Sequence, residues 1–325
     1  MSDLAFYGGE KSVTYQGKHF EWPLLSDETI KAVNDYLKNR EPLSIATRTG
    51  IVKKLEDTIS DYVGVKYVLS TNSGSNALYA AYVALNVEPG SEVIVQNLTF
   101  HASISPAMHC GLTPVLVDVE PDTGNVSVEA IRKAITNKTK ILVINHTWGY
   151  PADMDSIVPL CKEFGIKLIE DCSHSFGATY KGRKVGTFGD ISVASMQASK
   201  TLTAGEGGLL MTNNSEYYQR ASLVGHYRGR SETEVTDKQL SRYGSTGMGL
   251  KFRIHPLAAV IAYNEFATFE NKIKSREKLL GKLSEALEQV KGIRPPVIKE
   301  DVTMGSYYGY KPQFVYGELK IDDQG

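Results

Sequence analysis

The chain has 325 residues, of which 42% are hydrophobic, and its 36 Lys and Arg side chains nearly balance its 37 Asp and Glu side chains. This length is enough to bury a sizeable core, and the net charge of −1 argues against the clustered basic excess that nucleic-acid binding needs. The N-terminus does not resemble a signal peptide, and no apolar run is long enough to span a membrane, which predicts a soluble protein without a membrane partner. Three cysteines (Cys110, Cys161 and Cys172) without paired spacing favour a reduced, cytoplasmic compartment.

The first predicted element is a helix that begins after Ser26, a typical N-cap residue followed by acidic residues. After it, short apolar runs alternate with amphipathic helical patterns. The runs do not alternate with polar residues, as expected for strands covered by helices on both faces. This order predicts an α/β fold with a mostly parallel, doubly wound sheet, in which ligands bind beyond the C-terminal ends of the strands. The runs are residues 66–71, 92–97, 114–119, 141–146 and 167–172.

A long helical pattern from about Pro256 to Val290 follows the sheet, and residues 306–316 then read as a strand of a second, smaller domain. We predict an N-terminal segment and large domain over residues 1–255, and a connecting helix and the start of a small C-terminal α/β domain over residues 256–325. Too little chain follows this strand to cover its apolar face, so the small domain looks incomplete. We therefore expect the natural chain to continue past Gly325, or another chain to cover this edge.

One lysine, Lys200, lies between two segments that read as buried strands, in SVASMQASKTLTAGEGGLLMTNN. Burial would lower its pKa and make it a nucleophilic amine for Schiff-base chemistry. The alternatives are that Lys200 reaches the solvent or pairs with Glu206, and for an isolated lysine they are the more common outcome. We give Glu206 only a turn-stabilising role.

Polar residues at the ends of other predicted strands could complete a site. Asp171 ends a buried strand, where a carboxylate is costly unless it meets a cation such as a pyridinium nitrogen; the alternative is a residue that caps the next turn. The stretch from Ser73 through Gly74 to Ser75 opens a helix and offers backbone N–H groups to an anion such as phosphate, although many βα turns have this composition. Ser195 could add a hydroxyl group.

Phe100 ends a further predicted strand, where its ring could stack on a planar cofactor; the alternative is a core aromatic residue. His146 reads as a structural hydrogen-bonding residue near the site. The stretch that begins at His226 and contains Arg228 and Arg230 is suited to a mobile loop that could contact an anionic substrate. The other histidines show no ligand spacing, so no metal site is predicted.

Together these motifs resemble the DegT/DnrJ/StrS-type sugar aminotransferases, which are pyridoxal-phosphate enzymes of fold type I. The resemblance covers the chain to about residue 316. It rests on motifs in one chain order: SGSNAL, TFHAS, NHTWGYPADMDSI, IEDCSHSFGA and SMQASKTLTAGEGG.

The resemblance implies that pyridoxal phosphate is the cofactor, that Lys200 forms the Schiff base with it and that Asp171 partners its pyridinium nitrogen. Phe100 would stack on the ring. His174 takes the position from which the family, usually through Gln, contacts the phenolic oxygen. Lys251 stands where many members have the Asn that reaches the phosphate of the neighbouring subunit. The implied phosphate contacts are Ser73, Gly74, Ser75 and Ser195.

The resemblance also implies an aminotransferase that moves an amino group from glutamate or glutamine to a ketocyclitol or a nucleotide-linked ketosugar. Such reactions belong to amino-sugar and aminocyclitol biosynthesis, for antibiotics or polysaccharides. We expect a homodimer with shared active sites. Two alternatives remain: the dehydratase branch of the family, which has His where this chain has Lys200, and an inactive or regulatory paralogue that binds the cofactor.

Overall fold

The computed structural model describes residues 9–11, 13–17, 21–315 and 317–318. Its α-helices are α1 Asp27–Lys38, α2 Gly50–Val63, α3 Gly74–Leu85, α4 Ser105–His109, α5 Val128–Ala134, α6 Met154–Phe164, α7 Ser215–Leu223, α8 Arg230–Glu234, α9 Pro256–Phe266 and α10 Phe269–Leu287. Its strands are β1 Tyr67–Thr71, β2 Glu92–Gln96, β3 Thr113–Val117, β4 Thr139–Asn145, β5 Lys167–Asp171, β6 Thr179–Tyr180, β7 Arg183–Lys184, β8 Ile191–Ser195, β9 Gly208–Thr212, β10 Ile293–Arg294, β11 Val302–Thr303 and β12 Gln313–Phe314.

A seven-stranded sheet forms the centre of the molecule, with strand order β1-β9-β8-β5-β4-β2-β3. The pairs from β8 through β3 are parallel, whereas β9 is antiparallel to both β1 and β8. The antiparallel step follows from the connection: residues 196–207 return the chain directly from β8 to β9 instead of crossing over through a helix. The predicted mostly parallel sheet is confirmed.

Helices cover both faces of this sheet. On one face, α3 and α7 pack against side chains such as Val93, Ile141 and Val193 in a single buried cluster. The alternate residues of the same strands point to the other face, where α2 and α9 cover β1, β8 and β9, and α6 covers β4 and β5. Because both faces are buried, the strands read as continuous apolar runs rather than as alternating patterns.

The first helix begins where its sequence predicts. Ser26 caps α1, and its Oγ accepts a hydrogen bond of 3.1 Å from the backbone N–H of Thr29. The pattern from Pro256 to Val290 is two helices, because the chain leaves helical geometry at Thr268 (φ −104°, ψ 0°) between α9 and α10. The predicted domain boundary between residues 255 and 256 stays a prediction. None of the helices among the described residues is both long and apolar enough to span a membrane.

The prediction of one strand over residues 306–316 is wrong. Within the described part of this segment, only β12 is a strand, and it pairs with β10. Positive φ angles at Gly305 (53°) and Tyr307 (45°) turn the chain away from an extended course. Tyr307 is 8% exposed and packs with Tyr150 and Met304, so it does not lie on an open sheet edge. Residue 316 and residues 319–325, which include Gly325, lie outside the described residues.

The stretch from His226, predicted to suit a mobile loop that could contact an anionic substrate, has two buried residues for which this prediction is wrong. His226 and Arg230 are 3% and 2% exposed. Arg230 donates two hydrogen bonds, of 3.0 and 2.6 Å, to the fully buried carboxylate of Glu56. A buried guanidinium group needs such a partner, and its charge is therefore not available to a substrate.

Candidate active site

A cavity of about 430 Å³ opens at the C-terminal ends of β4, β5 and β8, beside the N-terminus of α3. This is the edge at which doubly wound sheets bind ligands. The cavity brings together eight of the nine predicted site residues. Its lining comprises the predicted residues Ser73, Gly74, Ser75, Phe100, Asp171, His174, Ser195 and Lys200, together with Leu78, Ala102, Asn145, Ser173, Gln197, Glu206 and Tyr308.

The N-terminus of α3 forms one wall. Ser73 is the N-cap, and its Oγ accepts a hydrogen bond of 3.1 Å from the backbone N–H of Asn76. The N–H groups of the first helical turn have no partner within a helix and carry the positive end of its dipole. A Cβ atom at Gly74 would lie 2.9 Å from Cβ of Ser195, so glycine allows the helix to approach the end of β8 closely. The wall is suited to an anion.

Lys200 lies in the segment that returns the chain from β8 to β9, and its side chain is half-buried. Burial lowers the pKa of its amine, and this effect exceeds the opposing effects of Tyr308 and Asp171. Of the ion pairs among the described residues, none joins Lys200 to Glu206, which is exposed at the turn before β9. The amine is therefore available for chemistry inside the cavity.

Asp171 is the last residue of β5 and is 4% exposed. Its Oδ2 accepts a hydrogen bond of 2.9 Å from Oγ of Ser103, and its Oδ1 accepts one of 3.0 Å from the backbone N–H of Ser173. Ser103 is fully buried and lies close to Oγ1 of Thr99, at 3.0 Å. Among the described residues no Lys, Arg or His forms a salt bridge with Asp171, so its negative charge lacks a close cation.

His174 lies one turn beyond β5 and is buried. Burial and then the positive charge of Lys200 lower its pKa to about 4, against an opposing effect of Asp171. His174 is therefore a neutral ring near pH 7. Its Nδ1 is buried and has no hydrogen-bond partner in the described part of the chain, and the same is true of Oδ1 of Asn145. Two unpartnered polar atoms in one cavity indicate a site built for a polar ligand.

Phe100 is 58% exposed at the cavity wall, which excludes the alternative of a core aromatic residue. Its ring lies against that of His101, with a centroid distance of 4.1 Å. Lys251 is exposed and does not line the cavity of its own chain. Its predicted contact with a neighbouring subunit remains a prediction.

His146 belongs to an internal hydrogen-bond network beneath the site. Its Nδ1 accepts from the backbone N–H of Ala152, so its Nε2 carries the proton and faces Glu170 at 3.2 Å. Glu170 also accepts hydrogen bonds from three backbone N–H groups, between 2.6 and 2.8 Å. Cys172 completes a compact buried group with these two side chains. The carboxylate has its acceptor sites filled, which supports the structural interpretation of His146.

Sequence reasoning missed several residues of the site. Asn145 gives the same signal as Asp171, a polar side chain at the end of a buried strand, and could have been found. Ser103 and Tyr308 gave no such signal. Ser103 is 68 residues from Asp171, and Tyr308 comes from a segment that was predicted to be a strand of the small domain. Only the folded chain brings Tyr308 to the cavity and Ser103 to the carboxylate of Asp171.

Sequence and structure comparisons show which protein family this chain resembles. A sequence model of the DegT/DnrJ/EryC1/StrS aminotransferase family matches residues 23–314. GDP-perosamine synthase from Escherichia coli is 38% identical over 79% of this chain and 68% of its own length. L-glutamine:scyllo-inosose aminotransferase from Streptomyces griseus is 30% identical over 95% of this chain and 73% of its own length. The solved structure of an aminotransferase from Psychrobacter cryohalolentis superposes with a TM-score of 0.79 and 29% identity, over 89% of this chain and 75% of that one.

Proposed function

The chain belongs to the DegT/DnrJ/EryC1/StrS family of aminotransferases, and on this premise we propose that it transfers an amino group from glutamate or glutamine to the carbonyl group of a ketocyclitol or a nucleotide-linked ketosugar. Its structural neighbours are fold type I enzymes, and the family depends on pyridoxal phosphate. The names of two relatives support both acceptor classes, because one is a synthase of GDP-perosamine, a nucleotide-linked amino sugar, and the other an aminotransferase of scyllo-inosose, a ketocyclitol. The name of the scyllo-inosose enzyme gives glutamine as its donor.

The observation that carries the proposal is the cavity, where Lys200, Asp171 and the N-terminus of α3 meet. Pyridoxal phosphate has three features that need partners: a phosphate dianion, a basic pyridine nitrogen and a phenolic oxygen. The donor set fits each of them. The N–H groups of Gly74 and Ser75 with the hydroxyls of Ser73 and Ser195 suit the phosphate, Asp171 suits the nitrogen, and the unpartnered Nδ1 of His174 suits a polar oxygen.

In this proposal Lys200 performs two tasks. Its amine would hold the cofactor covalently, and its lowered pKa favours the neutral, nucleophilic form that this bond requires. After its release from the cofactor, Nζ of Lys200 would take a proton from the donor carbon and pass it on within the same half-reaction. In the second half-reaction it would move a proton in the opposite direction, to the acceptor carbon, and so act as both general base and general acid. The bound cofactor supplies an electron sink for the carbanion that loss of this proton creates.

The other predicted residues hold the reacting groups in place. Asp171, whose negative charge is kept in position by Ser103, would keep the pyridine nitrogen protonated. Phe100, which is 58% exposed at the cavity wall, would stack on the cofactor ring. His174 would orient the phenolic oxygen. Asp171 and His174 are buried, which limits water around them and strengthens their interactions.

We further propose a homodimer in which Lys251 of one subunit reaches the cofactor phosphate of the other. This part of the proposal is supported by the exposure of Lys251 and its absence from the cavity of its own chain. Three free cysteines, of which two are buried, suit the reducing cytoplasm in which we expect the enzyme to act.

The test is a panel assay with product mass detection. Purified protein with pyridoxal phosphate would be offered glutamate or glutamine as donor, and ketocyclitols or nucleotide-linked ketosugars as acceptors. We expect an amino product from at least one acceptor class. Reduction with borohydride should fix the cofactor mass on the peptide that contains Lys200, and the Lys200→Ala variant should bind cofactor but give no product.

Lys184→Ala is the matched control, because Lys184 is also half-buried and lies 4.1 Å from an aromatic ring centroid, that of Tyr62. This variant should keep the label on Lys200 and keep its activity. Label on another lysine would contradict the assignment of Lys200. Covalent cofactor at Lys200 without turnover of any donor would contradict the aminotransferase proposal and favour an inactive paralogue.

A further inference from the structure

Tyr308 lies directly against Lys200, although the two residues come from distant parts of the chain. Nζ of Lys200 is 3.6 Å from the centroid of the Tyr308 ring, inside the range of a cation–π interaction. The Tyr308 ring also stacks on His174, with a centroid distance of 4.1 Å and an interplanar angle of 11°. Tyr308 therefore contacts both Lys200 and His174 inside the cavity.

A network of hydrogen bonds fixes the chain next to Tyr308. The carbonyl oxygen of Ser306 accepts from Oγ1 of Thr201, the residue after Lys200, at 2.8 Å. Arg276 of α10 donates to the same carbonyl at 2.9 Å and to Oγ1 of Thr201 at 2.7 Å. Oγ of Ser306 donates to the carbonyl oxygen of Phe176 at 2.7 Å. One guanidinium group thus ties the Lys200 segment to the Tyr308 segment.

The backbone of residues 305–308 adopts a constrained conformation that fixes the position of Tyr308. Tyr307, the neighbour of Tyr308, has a positive φ angle of 45°, which a bulky residue rarely adopts. At Gly305, a Cβ atom would lie 2.2 Å from the backbone nitrogen of Ala178. Strained backbone held by close packing is typical of segments that position a functional group.

The ring of Tyr308 lies in direct contact with the Lys200 amine, whereas none of the described carboxylates forms a salt bridge with it. The titratable groups that face its amine are Asp171, His174 and Tyr308, with the exposed Glu206 at the rim of the cavity. Asp171 already accepts two hydrogen bonds, and His174 is neutral. Lys200 forms no salt bridge with any described residue, so the π-face of Tyr308 is what faces its charge.

We propose that the ring of Tyr308 is the surface on which the Lys200 ammonium group rests whenever this lysine is not covalently engaged. Tyr308 is then a positioning residue: it keeps the free amine inside the cavity, oriented for its return, and favours its protonated form. This inference deepens the proposed function, because a released lysine exists only if Lys200 is displaced during turnover. The contact itself belongs to the cofactor-free protein and can be tested there.

The test compares two substitutions at Tyr308. Phe keeps the aromatic face and removes the hydroxyl, which lies 3.5 Å from Oγ of Ser199. Leu keeps apolar cover over the amine and removes the π-face. In cofactor-free protein, lysines would be dimethylated with ¹³C-formaldehyde, and the NMR signal of Lys200, identified by its loss in Lys200→Arg, would be followed against pH.

We expect Tyr308→Phe to leave the pKa of Lys200 near the wild-type value. Tyr308→Leu should lower this pKa, because the ring no longer favours the charged form, and the equilibrium ratio of neutral to protonated amine should rise about fivefold to tenfold. Tyr310→Leu is the matched control, since the Tyr310 hydroxyl faces Ser284 rather than the cavity. The signal of Lys184 should not change in any variant.

An unchanged pKa of Lys200 in Tyr308→Leu would overturn the proposal, as would a Phe variant that behaves like the Leu variant, since the hydroxyl would then be responsible. Circular dichroism spectra that match wild type would show that each variant is folded. These outcomes do not depend on turnover. If the panel assay fails while the titration behaves as expected, the proposed function is wrong and the contact between Lys200 and Tyr308 stands.

Discussion

At the scale of single residues, the buried carboxylate of Asp171 is held by hydrogen bonds yet can still accept more from a ligand. Each of its oxygens accepts one hydrogen bond from the protein, which leaves acceptor capacity on both. Burying a carboxylate without a nearby cation costs free energy. The hydrogen bonds from Ser103 and Ser173 offset part of this cost and hold the carboxylate in place. Ser103 is itself buried. The site therefore extends beyond the residues that would contact a cofactor.

Replacing Asp171 with Asn tests whether this charge is needed. The amide can still accept from the N–H of Ser173 and donate to Oγ of Ser103, so the protein should fold. It cannot keep a pyridine nitrogen protonated, and both half-reactions should slow by about 10²- to 10³-fold in single-turnover measurements. Asp155→Asn, at an exposed ion pair with Lys181, is the control and should react at the wild-type rate. Wild-type rates in the Asp171 variant would leave it as a turn residue.

His174 links the site to the stability of the cofactor-free protein. Its folded-state pKa of about 4 lies below the ordinary value of 6.5. Between these two pH values, His174 is protonated in the unfolded chain but neutral in the folded chain. The contribution of His174 to the free energy of unfolding is therefore complete above pH 6.5 and is lost as the pH falls toward 4.

The His174→Gln variant should lose less stability in this range. At pH 4.5 the wild-type free energy of unfolding should have fallen by about 2 kcal/mol more than that of the variant, relative to pH 7.5. Urea denaturation of cofactor-free protein at both pH values measures the difference. His226, whose pKa burial also lowers, is present in both proteins and cancels. Parallel losses of stability would mean that His174 titrates normally.

At the scale of secondary-structure elements, the approach of α3 to β8 builds the anion-binding wall. Gly74 makes this approach possible, because a side chain there would meet the backbone and Cβ of Ser195 at 3.1 and 2.9 Å. Gly208, the first residue of β9, is similarly close to Ser73: a Cβ atom would lie 2.3 Å from the Ser73 carbonyl oxygen. These glycines serve close packing rather than a special φ angle. The position of the helix N-terminus thus depends on two small residues.

A methyl group at Gly74 should displace this wall. In Gly74→Ala the helix must move by a few tenths of an ångström, and pyridoxal phosphate affinity, measured by absorbance titration, should fall about tenfold. The control is Gly281→Ala in α10, where an added Cβ meets nothing within 4 Å. It should stabilise the protein by up to about 1 kcal/mol and leave affinity unchanged. Unaltered affinity in Gly74→Ala would show that the helix N-terminus is not the phosphate site.

At the scale of the whole molecule, the cavity draws on parts of the chain that are far apart in sequence. The sheet supplies Asp171 and Ser195, α3 supplies the anion-binding wall, and the segment after α10 supplies Tyr308. One predicted residue, Lys251, lies outside this assembly on the exposed surface. A second copy of the chain is the partner that would give it a role.

A mixing experiment tests the shared site. Lys200→Ala and Lys251→Ala should each be inactive or nearly so. If Lys251 acts across the interface, a mixed dimer contains one site with both lysines intact, and random mixing should restore about a quarter of the wild-type activity. Mass spectrometry of the native assembly would verify that mixed dimers form. Mixed dimers without activity would contradict a shared site.

The sequence by itself determined the elements and much of the site. Buried parallel strands need continuous apolar runs, so the strands were readable, and polar residues at their ends marked the ligand edge. Lys200, Asp171 and the stretch from Ser73 to Ser75 stood out because each is a polar group where apolar residues are expected. These signals are local, and the cavity contains every one of them.

Only the tertiary structure decided which distant residues complete the cavity. Tyr308 and Ser199 are 109 positions apart. Positive φ angles at Gly305 and Tyr307 turn the chain before Tyr308, and Arg276 donates hydrogen bonds to both segments. Arg230 looked free to meet a substrate, but folding buries it against Glu56, 174 positions away. The physical reason is the same in each case: hydrophobic periodicity and capping act over a few residues, whereas burial and charge pairing depend on contacts that form only when the whole chain folds.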